Sequence, residues 1–165
     1  MTKTLNVVAA VKDVKSGVKD AETVAEGLAN VLADTYRLTF KTHAFHWNVE
    51  GPLFYGVHNL TEGQYEDMFA AADELAERMR ALGQMAPMTM ADIMENSVIK
   101  DATKTPSAGE MVAMLAEDHV RVAHRLHALI KVAGEQNDPV TEDLATARSA
   151  FHEKAAWMLR ALVAQ

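Results

Sequence analysis

Apolar positions in this chain recur at steps of three and four over four long stretches, the spacing of helices that bury one face. In the first, Asp20 stands as an N-cap ahead of Leu28, Val31, Leu32, Tyr36 and Leu38, and the stretch ends near Trp47. Asn48-Val49-Glu50-Gly51-Pro52 then carries turn chemistry, with a glycine free to take positive φ and a proline suited to open a helix. The second stretch, from about Leu53 to Leu82, sets Val57, Thr61, Tyr65, Met68, Ala72, Leu75 and Met79 on one stripe and meets a C-terminal stop at Gly83. A Met-rich link containing proline leads to a shorter periodic piece, Met90 to Val98, before a polar segment ending at Ser107 breaks the pattern. Ser107, with Glu110 three residues on, opens a third stretch that runs to Gly134, and a fourth runs from Pro139 to Val163. The pattern predicts an all-α fold, a four-helix bundle with a short extra helix in a long crossover between its second and third long helices.

Length and charge narrow this picture. A chain of 165 residues suits one domain, with an N-terminal arm over 1–19 and the bundle over 20–165. The absence of cysteine removes disulfides, thiolate metal sites and cysteine nucleophiles, and favours the cytoplasm. The apolar patch Val7, Val8, Ala9, Ala10 and Val11 is too short for a signal core or a membrane span, so the chain is read as soluble and unprocessed. Net charge is −7, and the acidic residues are spread along the chain, which argues against strong attraction to phosphate backbones.

Candidate chemistry gathers on the second helix. His58 with Glu62 and Asp73 with Glu77 are i, i+4 pairs, each able to reach a common ion. All four fall within an arc of about 100°, centred roughly 120° from the apolar stripe, so they do not point into the subunit's own core. His58 and Asp73 are also about 22 Å apart along the axis, too far to close one site from one chain. Two copies packed antiparallel about a two-fold axis would bring the His58/Glu62 end of one to the Asp73/Glu77 end of the other, twice per dimer. Phe69, near the midpoint, with Tyr65 and Ala76, offers an apolar strip for that contact. His46 sits just before the Gly-Pro turn, close enough in sequence to complete the histidine half. Imidazoles mixed with carboxylates suit ferrous iron better than calcium or magnesium, which prefer oxygen shells, and zinc or another divalent ion also fits such a set. The bland alternative is a solvated, salt-bridged face at Asp73-Glu74-Leu75-Ala76-Glu77-Arg78. His43, His119, His124, His127 and His152 are read as packing or helix-end residues.

Taken together, Thr42-His43-Ala44-Phe45-His46-Trp47-Asn48-Val49-Glu50-Gly51-Pro52, Val57-His58, Gln64-Tyr65, Asp73-Glu74-Leu75-Ala76-Glu77-Arg78 and Leu82-Gly83 form a signature that resembles the Dps family of mini-ferritins. Lys154-Ala155-Ala156-Trp157-Met158-Leu159 resembles that family's last helix, so the resemblance spans nearly the whole chain. It implies a ferritin-like bundle that assembles as a twelve-subunit cage with ferroxidase sites at two-fold interfaces. It implies iron oxidation, preferentially by hydrogen peroxide, with storage of ferric oxyhydroxide and protection against oxidative damage. By the same resemblance, His46 and His58 match the ligands of one subunit and Asp73 and Glu77 those of its mate. Glu62 stands where many members have aspartate, as a ligand to a second metal. Trp47 matches a tryptophan beside the site that gives up an electron during peroxide reduction, and Glu142 and Asp143 match acidic residues near the three-fold pores that steer iron inward.

DNA binding is the family trait least supported: the arm carries Lys3, Lys12, Lys15 and Lys19 but also Asp13, and no basic extension follows Gln165. A ferritin that holds iron inside one bundle would need Glu-x-x-His motifs, and no histidine here has a glutamate three residues before it. A haemerythrin-like carrier would need a His-x-x-x-His pair, which is absent. The alternative from another class is a structural or nucleoid-binding helical protein with a vestigial metal site.

Overall fold

The computed structural model describes residues 15–164 and, among them, consists of helices and loops with no strand. Lys3, Lys12 and Asp13 of the arm lie outside the described residues. Five helices follow in order: α1 (Ala21–Asn48), α2 (Phe54–Ala81), α3 (Met90–Asn96), α4 (Ala108–Glu135) and α5 (Pro139–Leu162).

Side-chain caps start four of the five helices, those at Asp20 and Ser107 as predicted. Asp20 accepts hydrogen bonds from Thr23 N at 3.1 Å and from Thr23 Oγ1 at 2.7 Å, bonds that hold its carboxyl below the ordinary range. Ser107 and Glu110 close a reciprocal capping box at α4, and Thr89 with Asp92 closes another at α3. Asp138 accepts from Thr141 N, with Pro139 in the first turn of α5. Caps of this kind are worth about 1 kcal/mol each. Gly83, at φ +81°, ends α2 in a Schellman turn in which Gln84 N donates to Met79 O at 3.0 Å.

Contacts between helices fix the topology. α1 and α2 form an antiparallel hairpin through Gly51, whose φ of +82° only glycine adopts without strain. Lys41 pairs with Asp118, and Leu129 packs over Gly27, so α1 and α4 are antiparallel. Arg78 meets Asp138, Asp67 meets Arg148 and Leu162 packs over Gly56, so α2 and α5 are antiparallel too. α2 and α4 therefore run the same way, and the chain between them must return along the bundle. Asp34 of α1 anchors that crossover by accepting from Ser97 Oγ at 2.8 Å and Val98 N at 2.7 Å while pairing with Arg125 of α4 at 3.1 Å. Burial pushes the Asp34 carboxyl upward against the pull of Arg125. These bonds end α3 at Asn96, two residues short of the predicted Val98, because Ser97 and Val98 turn to reach Asp34.

Leu28, Leu38, Met68 and Leu75 of the predicted stripes are fully buried, joined by Leu115 of α4 and Leu159 of α5, each worth about 1.5–3 kcal/mol relative to exposure. Tyr36 departs from expectation. It lies one step outside the row of Val31, Thr35 and Leu38, is 41% exposed, and sits on the outer face of the α1–α2 hairpin with Phe40 and Phe69. Among the described residues no helix is long and apolar enough to cross a membrane.

Candidate metal site

The tight turn at Gly51 sets the last turn of α1 against the first turns of α2, which brings the two predicted histidines together. His46 Nδ1 donates to the main-chain carbonyl of His58 at 2.9 Å, and His58 Nδ1 donates to the carbonyl of His46 at 3.0 Å. The rings stack with centroids 3.7 Å apart and planes 17° from parallel. Thr61 Oγ1 lies 3.3 Å from His46 Nδ1 and gives its own proton to Val57 O at 2.7 Å, so it can only accept from the ring. A proton on each Nδ1 puts the lone pair of each imidazole on Nε2, the state in which histidine binds a metal ion. Main-chain carbonyls fix both tautomers, with the Thr61 hydroxyl as a second acceptor for His46.

Aromatic groups surround the pair. Phe54 stacks on His58 at 5.0 Å, and Tyr65 meets His46 edge-on at 5.2 Å. His43 lies between Tyr65, at 4.1 Å, and Trp47, at 4.0 Å. Trp47 is 58% exposed, and Glu62 is exposed one turn beyond His58. Burial raises the Tyr65 phenol, and the charges of Glu62 and Glu66 add to that shift, so Tyr65 keeps its proton. His43 is the one neighbour of the site that the sequence reading set aside. Its relation to His46 and Trp47, three and four residues on, was the available signal.

Asp73 and Glu77 are exposed on the same helix, about 22 Å and about 28 Å from His58 along its axis. Among the described residues of one chain, no three histidine or acidic side chains converge to hold a metal ion. Histidine and carboxylate halves thus occupy the two ends of one helix face. Beside Asp73 lies an open groove of about 640 Å³, lined also by Leu32, Tyr36, Phe69, Ala76 and Met88. Glu142, in the first turn of α5, and Asp143, the next residue, are both exposed.

The bundle with its long crossover, and a helix face carrying imidazoles and carboxylates, define a ferritin-like protein, and residues 25–165 match the ferritin-like domain family. A DNA protection during starvation protein of Brevibacillus brevis is 37% identical over 142 residues, covering 86% of this chain and 95% of that one. The crystal structure of a Dps protein from Bacillus brevis superposes with a TM-score of 0.84 at 37% identity, over 87% of this chain and 97% of that one. A Dps protein from Vibrio cholerae, described as a member of a broad superfamily of ferritin-like diiron-carboxylate proteins, gives a TM-score of 0.82 at 27% identity, over 87% of this chain and 91% of that one. The chain belongs to the Dps family. Iron binding and storage, with protection from oxidative damage, is the general chemistry of that family, and this chain carries its fold and its donor types.

Proposed function

We propose that the protein is a ferroxidase and iron-storage subunit whose sites form between two chains, each site taking His46, His58 and Glu62 from one and Asp73 and Glu77 from the other. The reciprocal Nδ1–carbonyl bonds of His46 and His58 carry this reading, because they hold two Nε2 lone pairs ready, on a buried His46 and a half-buried His58, in a chain whose described residues bring no cluster of three donors together. The exposed Phe69 and the apolar groove beside Asp73 support it, since a second copy laid antiparallel on this face would cover them while joining the two halves.

Ferrous iron is the substrate. Carboxylates and imidazoles neutralise and orient the ions, while the aromatic wall of Phe54, Tyr65 and His43 limits water at the site. Hydrogen peroxide is the preferred oxidant, taking one electron from each of two ferrous ions as its O–O bond breaks. The ferric product hydrolyses to oxyhydroxide and releases protons. Trp47, exposed and next to His43, supplies a spare electron when only one ferrous ion is present, and Glu142 and Asp143 line the route by which iron enters a twelve-subunit cage. Zinc competes for the same donors. The protein works in the cytoplasm and does not hold DNA at physiological salt.

An anaerobic ferrous titration, followed by sub-stoichiometric peroxide and then air, tests the chemistry. Rapid ferric absorbance on peroxide with slow formation in air is expected; rates equal to a protein-free control with both oxidants would leave the structural, nucleoid-binding reading. Light scattering at the mass of twelve subunits is the expected result for assembly.

A further inference from the structure

Eight side-chain atoms among the described residues are buried without a hydrogen-bond partner in the protein, and five of them come from four residues of the bundle core: Thr42 Oγ1, Gln64 Oε1 and Nε2, His119 Nε2 and His152 Nε2. Each long helix contributes one of these residues, and the helix contacts put all four at one level. Thr42 follows Lys41, which pairs with Asp118, the neighbour of His119. His119 and His152 meet directly, Nδ1 to Nδ1 at 2.8 Å. Antiparallel α2 and α5 touch at Asp67–Arg148 on one side of this level and at Gly56–Leu162 on the other, which sets Gln64 opposite His152. Thr42, His119 and His152 are fully buried, and Gln64 is 4% exposed. Leu38, Met68 and Val122 lie on one side of this level, and Phe45, Leu115 and Ala156 on the other.

Tautomer logic fixes what this layer offers. An Nδ1···Nδ1 hydrogen bond needs a proton on one ring and a lone pair on the other. The donor ring then carries its lone pair on Nε2, and the acceptor ring carries an Nε2–H. Gln64 adds a carbonyl acceptor and an amide donor, and the Thr42 hydroxyl can act as either. Among these four residues donors and acceptors are balanced and none is ionised: burial holds His119 down to about 3, and the Arg148 guanidinium, whose Nη2 is also buried without a partner, adds to the shift of both rings.

We infer that the layer encloses a small cluster of water molecules, held among Thr42, Gln64, His119 and His152, and is closed to divalent cations. Buried polar atoms are nearly always satisfied, and a water placed among several such groups satisfies donors and acceptors at once. A divalent ion would find one imidazole lone pair and no carboxylate, whereas bundles that hold two iron ions in their core line that position with glutamates. The neutral layer therefore ties the four helices in register, and the bundle interior does not compete for iron with donors on its surface.

Crystals of the full-length protein soaked in zinc chloride, at a resolution that orders internal waters, test this inference independently of where iron is oxidised. Waters within hydrogen-bonding distance of both Nε2 atoms and the Gln64 amide are expected, with no anomalous peak in the layer. A zinc peak there, or side chains repacked into a dry layer, would overturn it. Gln64→Leu supplies a second readout: with waters present the variant strands their hydrogen bonds and its Tm falls, whereas in a dry layer it removes two unsatisfied atoms and its Tm rises.

Discussion

His46 and His58 each use a main-chain carbonyl of the other residue as the acceptor that fixes a metal-binding tautomer. That reciprocity arises only when α1 and α2 pack, so the sequence marks the two residues as candidates through their spacing around the Gly-Pro turn but not through the bonds between them. On the account above Asp73→Ala loses rapid iron oxidation and keeps the helical fold, because Asp73 is exposed and makes no contact that the core needs; circular dichroism with stopped-flow ferric absorbance checks both halves, and unchanged kinetics would contradict the assignment. His119 and His152 make a prediction of a different kind. Burial keeps both rings neutral, His119 with a pKa of about 3 and His152 well below its ordinary value, with neighbouring positive charge adding to each shift. Above pH 6.5 neither ring is protonated in the folded or the unfolded chain. Below it the unfolded chain takes up protons that the folded pair refuses, so stability falls as pH drops below 6.5, for His119 down toward about 3, with His152 acting in the same direction. Denaturant unfolding at a series of pH values checks the slope. Replacing His152 by glutamine should flatten it.

Helix starts were legible because their signals are local: Asp20, Ser107 with Glu110, and Pro139 all stand where the pattern put them. The end of α3 was not, because it depends on Asp34, more than sixty residues earlier in the chain. Periodicity likewise put Tyr36 on the core stripe although it faces outward, since spacing alone does not separate the edge of a stripe from its centre. Asp34→Ala should cost about 3 kcal/mol, because it leaves Arg125 unpaired and releases Ser97 and Val98 together. The denaturation midpoint measures this, and a change near zero would mean that the crossover is held by Ile99 and its packing instead. Gly51→Ala should cost about 1–2 kcal/mol through its positive φ. By loosening the α1–α2 turn, it should also weaken ferrous binding more than a surface substitution of equal cost.

On the scale of the whole molecule, a net charge of −7 sets the expectation for nucleic acid: no retardation of DNA in a gel shift at physiological ionic strength, with any binding confined to low salt. That one chain cannot close the proposed site by itself was legible from helix geometry, since His58 and Asp73 share a face but lie about 22 Å apart on one rigid rod. The buried layer of Thr42, Gln64, His119 and His152 was not, because its four members are scattered over four helices and each looks ordinary alone. Whether one site draws on two subunits is the central claim, and co-expression of His58→Ala with Asp73→Ala subunits tests it most directly. Each variant alone should form cages without rapid peroxide-driven iron oxidation. In mixed cages half the dimers pair one of each, and one of their two sites regains every ligand, so activity should return to about a quarter of the wild-type rate. Mixed cages no faster than the two variants apart would contradict a site shared between subunits.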